Sequence, residues 1–236
     1  FQDGDTLRQI DWKATARKQT PVVREYQDER DQQIVILLNC GYRMRNQDDE
    51  LSHFDHALNA ALLLAYAALR QGDAVGLATF ATENPFFLPP AKGAIQLNNL
   101  LNRMYDLQVS QLTADYREAA SQVLLRQKRR ALIIIISNLH DEDDQELLSA
   151  LSRLRRHHRV LFTSLRESIL DTQRVSPVSS FESALTYAGN IHYQNTRNGL
   201  HERLSVHGFP LLDVRPDQLG PELITRYLDW KRTGNL

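Results

Sequence analysis

The sequence predicts an α/β fold: a doubly wound, mostly parallel central sheet with helices on both faces, plus an N-terminal arm. Three observations carry this. Short apolar runs bounded by turn residues alternate with amphipathic helical segments. The runs Ile34–Leu38 and Ala131–Ser137 lack polar alternation, as strands covered on both faces must. The chain has 236 residues, 42% hydrophobic and 24% charged, which suits one substantial core.

Residues 1–31 are polar and too poor in apolar side chains to fold alone. Ile10, Trp12, Val22, Val23 and Tyr26 are the anchors by which this arm is expected to pack on the main domain, residues 32–236. Ile34–Leu38 is the first central strand. His53–Arg70 spaces its apolar residues helically and presents a small-residue face suited to close packing on a sheet. Gly72-Asp73 ends it. Ala74–Phe80 is a second strand and Pro85–Leu88 a short edge partner, which Pro89-Pro90 is expected to stop.

Ile95–Tyr105 and Thr113–Arg126 read as helices, the latter capped by Thr113 or Asp115. Ala131–Ser137 is the strongest strand signal. The helix after it carries acid at its start, Asp141–Glu146, and base at its end, Arg153, Arg155 and Arg156. Val160–Leu165 is a strand. Phe181–Ala188 and Thr196–His207 read as two helices, the second capped by Asn195. Pro210–Val214 is the last strand and Glu222–Arg232 the closing helix, with Pro221 at its entrance.

Composition narrows the function. Lys+Arg total 28 against 29 Asp+Glu, a formal charge of -1, so no overall positive field holds a phosphate backbone. The single cysteine, Cys40, excludes disulfides and thiolate zinc clusters within the chain and suits a reducing compartment. No apolar run approaches the roughly 20 residues of a membrane span. The start FQDGDTLRQ has neither an initiating Met nor a signal peptide, as expected of a fragment of a longer, membrane-anchored protein.

Ligands of such sheets lie beyond the carboxyl ends of the strands. The loop after the first strand offers Asn39, Gly41 and Arg43, and the loop after the Ile-rich strand offers Ser137-Asn138. A hard cation wants carboxylates, and Arg43 would repel it. Neither a dinucleotide fingerprint, a Walker loop nor H-E-x-x-H is present. His53 and His56 share a helical face and read as solvated or capping residues. Cys40 reads as buried packing, with a reactive thiol as the alternative. Arg126–Arg130 and Arg153–Arg159 read as helix-terminal charge, or as a docking patch for an acidic protein surface.

The stretch Gly4-Asp5-x-x-Arg8-x-Ile10-Asp11-Trp12-Lys13-Ala14-Thr15-Ala16-Arg17, then Val23-Arg24-Glu25-Tyr26 and Glu29-Arg30, resembles the family catalogued as domain of unknown function 58. The C-terminal pattern Leu211-Leu212-Asp213-Val214, Pro216, Leu219, Pro221, Leu223, Arg226-Tyr227-Leu228 and Lys231 extends the likeness over essentially the whole chain. The family's core resembles a von Willebrand factor type A domain, a Rossmann-like sheet used in adhesion and assembly.

That fold's metal-ion-dependent adhesion site implies D-x-S-x-S, a Thr and a final Asp. Here those positions fall on Asn39, Gly41 and Arg43, on Thr113, and on Asn138. Only Thr113 keeps the implied type, so the resemblance implies a degenerate site with no resident metal or other cofactor; weak Mg or Ca binding is the alternative. It also implies a bacterial, non-catalytic interaction module, a MoxR-type AAA+ ATPase as partner, and a cytoplasmic domain on an inner-membrane protein. It implies neither nucleic-acid binding nor membrane contact by this fragment. Arg43, Tyr42, Trp12, Arg17 and Asp115 are the candidate interaction residues.

Overall fold

Strand β1, Gln33–Asn39, forms on the first apolar run, and its side chains alternate between two faces. The computed structural model describes residues 17, 32–48, 50–139, 144–167 and 180–234. In it Ile34, Ile36 and Leu38 enter one core while Val35 and Leu37 enter another. A 3₁₀ turn, Tyr42–Arg45, and a small hairpin of β2, Gln47–Asp48, and β3, Leu51–Ser52, follow. The sequence reading did not anticipate either.

Helix α1, His53–Arg70, begins at a capping box: Ser52 Oγ accepts the Asp55 amide at 3.1 Å and Asp55 Oδ2 accepts the Ser52 amide at 3.0 Å. It buries Ala57, Ala61, Ala65 and Ala68 against the sheet. Strand β4, Ala74–Phe80, pairs parallel with β1 and antiparallel with β5, Phe87–Ala91. Strand β5 therefore runs through Pro89 and Pro90 instead of stopping before them. The register slips between Val75 and Leu77, leaving both prolines opposite Gly76. A bulge at an outer strand does not need the missing N–H groups. A Cβ at Gly76 would meet the Leu88 carbonyl at 2.6 Å and Pro90 N at 2.8 Å, so glycine admits the proline pair.

Helix α2, Ala94–Tyr105, leads to α3, Tyr116–Arg126. Of the two candidate caps, Asp115 acts, accepting the Glu118 amide at 2.8 Å; Thr113 precedes the helix. Strand β6, Leu132–Ser137, helix α4, Asp144–Arg155, and strand β7, Arg159–Leu165, follow. The acids Asp141 and Asp143 lie outside the described residues.

Helix α5 is one helix, Phe181–Val206, rather than two, and Asn195 is interior to it. A Ser180–Ser183 capping box starts it, and Leu200 and Leu204 bury its second half. Gly189 and Gly199 weaken such a helix by about 1 kcal/mol each without breaking it. Strand β8, Leu211–Val214, and helix α6, Leu219–Arg232, complete the fold. Pro221 sits in the first turn of α6, where its missing N–H costs nothing.

The main sheet runs β5-β4-β1-β6-β7-β8, parallel except at β5. Helices α1, α2 and α6 supply one core; α3, α4 and α5 supply the other. From β1 the chain winds outward through β4 and β5, then crosses back to β6, so winding reverses between β1 and β6. At the opposite end, the buried Asp73 carboxylate accepts from Tyr227 Oη at 2.5 Å, Lys231 Nζ at 2.9 Å and the Gln32 amide at 3.3 Å.

The chain divides into two units, Phe1–Arg30 and Asp31–Leu236. Trp12 lies outside the described residues, and Arg17 is exposed. Among the described residues, no helix is long and apolar enough to cross a membrane.

Candidate functional site at the carboxyl ends of β1 and β6

The winding reversal puts Asn39, at the end of β1, beside Ser137 and Asn138, at the end of β6. Asn39 is buried, and both atoms of its amide are used inside the fold. Asn39 Oδ1 accepts the Gly41 amide at 2.8 Å, and Asn39 Nδ2 donates to Ser137 Oγ at 2.8 Å. Ser137 Oγ also meets Tyr116 Oη at 2.7 Å. Asn138 is buried too, its Nδ2 3.3 Å from His53 Nδ1. Its Oδ1 has no hydrogen-bond partner among the described residues.

The segment 110–112 is sewn across the β1 loop. The Ser110 amide donates to the Cys40 carbonyl at 2.7 Å and the Tyr42 amide to the Leu112 carbonyl at 3.2 Å. Ser110 Oγ donates to the Ala81 carbonyl at 2.6 Å. A Cβ at Gly41 would stand 2.7 Å from the Leu112 carbonyl and 3.0 Å from Asn39 Oδ1. Gly41 is thus required by close approach of a second loop, with an ordinary φ of -77°.

Arg43 is 9% exposed and Tyr42 is 40% exposed. Arg43 Nε donates to Tyr42 Oη at 3.2 Å and the guanidinium lies 5.7 Å from the Tyr42 ring centre. Arg43 and Tyr42 are both candidate interaction residues from the sequence. Arg43 turns inward and Tyr42 is the outward face of the pair. Thr113 and Asp115 are exposed, and Asp115 is occupied as the α3 cap. Both line an apolar cavity of about 300 Å³ with Phe80, Phe87 and Val123.

His53 is fully buried at the first position of α1, which corrects the expectation of a solvated or capping histidine. The S-x-x-D box at Ser52–Asp55 is the signal that places it there, facing the β6 loop. Cys40 is buried, and burial pushes its thiol up to about 12. That shift keeps it in the thiol form at neutral pH. Among the described residues, no three His, Cys, Asp or Glu side chains gather closely enough to hold a metal ion.

A residue that sequence reasoning missed borders this edge. Arg197, on α5, is 5% exposed. Its Nη2 donates to Ser164 Oγ at 2.8 Å, the Leu165 carbonyl at 2.9 Å and Asp213 Oδ1 at 2.5 Å; Nη1 reaches the Leu139 carbonyl at 3.4 Å. One guanidinium joins the carboxyl ends of β6, β7 and β8. Its place three residues before Leu200 and seven before Leu204, on the apolar stripe of α5, was the available signal. His201 Nδ1 lies 3.6 Å from Asp213 Oδ2. Burial nonetheless pushes His201 below its ordinary range, outweighing the carboxylate. Asn46 Nδ2 donates to Glu167 Oε1 at 2.6 Å, tying the loop after β1 to that after β7.

Solved structures share the fold. The VWA domain of SpRpn10 matches with a TM-score of 0.53 and 16% identity, over 83% of this chain and 94% of that one. BatB from Bacteroides thetaiotaomicron matches with a TM-score of 0.52 and 14% identity, over 86% and 99%. An aerotolerance-related membrane protein from Bacteroides fragilis NCTC 9343, solved with multiple mutations to serines, matches with a TM-score of 0.50 and 15% identity, over 84% and 98%. No curated protein matches the sequence. The family model that matches ends before β8 and α6, short of the whole-chain likeness read from the sequence. It covers residues 1–208, and the chain belongs to that family, described as protein of unknown function DUF58, with a von Willebrand factor A-like core.

Proposed function

We propose that the domain is a non-catalytic protein–protein interaction module whose β1–β6 face is a degenerate, metal-free adhesion site. The observation that carries this is the Asn39 amide. Its oxygen accepts the Gly41 N–H and its nitrogen donates to Ser137, so the amide is engaged within the fold and brings no negative charge to hold a cation. Gly41 beneath the Leu112 carbonyl leaves no room for a serine ligand, and the buried Arg43 adds positive charge to the same loop. A partner would read this surface directly, with Tyr42 as the exposed aromatic contact.

The partner in this reading is a MoxR-type AAA+ ATPase, and the domain works on the cytoplasmic side of a membrane-anchored parent protein. The family resemblance supports both. The raised Cys40 pKa supports the absence of a thiol-based activity. One observation favours a second reading, weak Mg²⁺ or Ca²⁺ binding through Asn39, Thr113, Asn138 and Asp115: the buried Asn138 Oδ1 has no partner among the described residues.

Thermal unfolding with and without Mg²⁺, Ca²⁺ and Mn²⁺ separates the readings. The chain is expected to ignore all three, while an Asn39→Asp/Arg43→Ser/Asn138→Asp variant is stabilised. A metal-dependent shift in the unaltered chain selects the second reading. For the partner, Tyr42→Ala is expected to weaken binding to a purified MoxR-type ATPase, and unchanged binding would refute that contact.

A further inference from the structure

The opposite edge of the sheet, at the amino ends of β6, β7 and β8, gathers the two basic stretches of the sequence into one place. Arg130, Arg155, His158 and Arg159 line a cavity of about 260 Å³ with Val160, Gly208, Phe209 and Pro210. Among the described residues, none of the three arginines pairs with a carboxylate. Aromatic rings position two of them: Arg159 lies 5.1 Å from the Trp230 ring centre and Arg155 5.4 Å from that of Phe209. Arg155 Nη1 also donates to the His207 carbonyl at 2.7 Å. Rings and a carbonyl orient a guanidinium without neutralising it, so the charge stays available to a ligand.

His158 lines the same cavity. His158 is 3% exposed, and both its ring nitrogens lack a hydrogen-bond partner among the described residues. Arg159 Nε is buried and unsatisfied as well. Burial and the Arg130 charge both press the Arg159 guanidinium below its ordinary value, and no acid offsets them. A helix-terminal salt-bridge cluster would not look like this.

We propose that this cavity binds a small molecule bearing a multiply charged phosphoryl group, with Arg130, Arg155 and Arg159 around its oxygens and Phe209 and Pro210 against its apolar part. Three planar forks exceed what the two oxygens of one carboxylate can use, and they suit phosphate geometry. The volume admits a metabolite-sized ligand but not a folded surface.

Calorimetry on the full chain with inorganic pyrophosphate tests this. Saturable one-to-one binding is expected. Arg130→Gln and Arg159→Gln are each expected to weaken it about tenfold, the loss of one charge-assisted hydrogen bond. Arg103→Gln, a distant surface change, is expected to leave it unchanged. Arg159→Gln also removes a stack on Trp230, so Arg130→Gln, at an exposed position, keeps the test independent of folding. Absence of binding, or equal weakening by Arg103→Gln, overturns the proposal. A polyglutamate peptide that binds where pyrophosphate does not overturns it too, and assigns the patch to an acidic protein surface.

Discussion

Asn39 and Ser137 join the carboxyl ends of the two middle strands through a buried 2.8 Å hydrogen bond from Asn39 Nδ2 to Ser137 Oγ. The donor matters. A carboxylate in its place could still accept the Gly41 amide but could donate nothing, and its charge would sit at 1% exposure.

Asn39→Asp alone is therefore expected to destabilise the domain by about 3 kcal/mol at neutral pH. Burial would raise the introduced group's folded pKa. Such a group contributes stability below its unfolded pKa and loses it as pH rises through the folded value. Denaturant unfolding should thus show a gap to the unaltered chain that widens from about pH 5 to about pH 8. A constant gap would mean that the new carboxylate is solvated or paired.

Cys40 offers a simpler pH test. Its folded pKa is raised to about 12, so its contribution is complete below the ordinary thiol range and lost as pH climbs through about 12. The native chain is expected to resist thiol reagents at neutral pH, and the denatured chain to react with one equivalent. Rapid native labelling would restore the thiol as a chemical candidate.

Two glycine substitutions should act with opposite sign. Gly76→Ala drives a methyl group into the Leu88 carbonyl and Pro90, and is expected to cost about 1–3 kcal/mol. Gly189→Ala meets nothing within 4 Å inside α5 and is expected to stabilise by about 0.5–1 kcal/mol. Melting curves of the two variants check both. A Gly76→Ala protein as stable as its parent would mean that the bulge relaxes freely.

Arg197→Met should cost about 3–5 kcal/mol, because it leaves Asp213 and the strand-end carbonyls without their donor. Denaturant unfolding measures the loss. A change within experimental error would show that water replaces the guanidinium there.

The strands were legible because β1 and β6 are doubly covered and written almost wholly in apolar residues, so no competing period exists. Helix α5 was misread as two because Gly189-Asn190 is a local breaking signal, while the burial of Leu200 and Leu204 that overrides it is tertiary. The run through Pro89 and Pro90 was hidden for a related reason: the glycine that admits it lies on a different strand. At the site, Asn39, Gly41 and Asn138 could be placed from sequence, since strand ends mark the crevice. The inward turn of Arg43, the burial of His53 and the reach of Arg197 across three strands depend on neighbours distant in the chain.

The Asp73 carboxylate has a mechanical meaning. It fastens the Gln32 amide, at the entrance to β1, to Tyr227 and Lys231 of the last helix. Strand β1 lies at the centre of the sheet, bonded along its length to parallel neighbours on both sides. Tension applied to the chain ahead of Gln32 would load those two ladders in shear, all rungs together, rather than unzip them one at a time. Pulling along the strand from its amino-terminal side is therefore expected to meet more resistance than peeling an edge strand, with the load entering at the far end of the sheet from Tyr42.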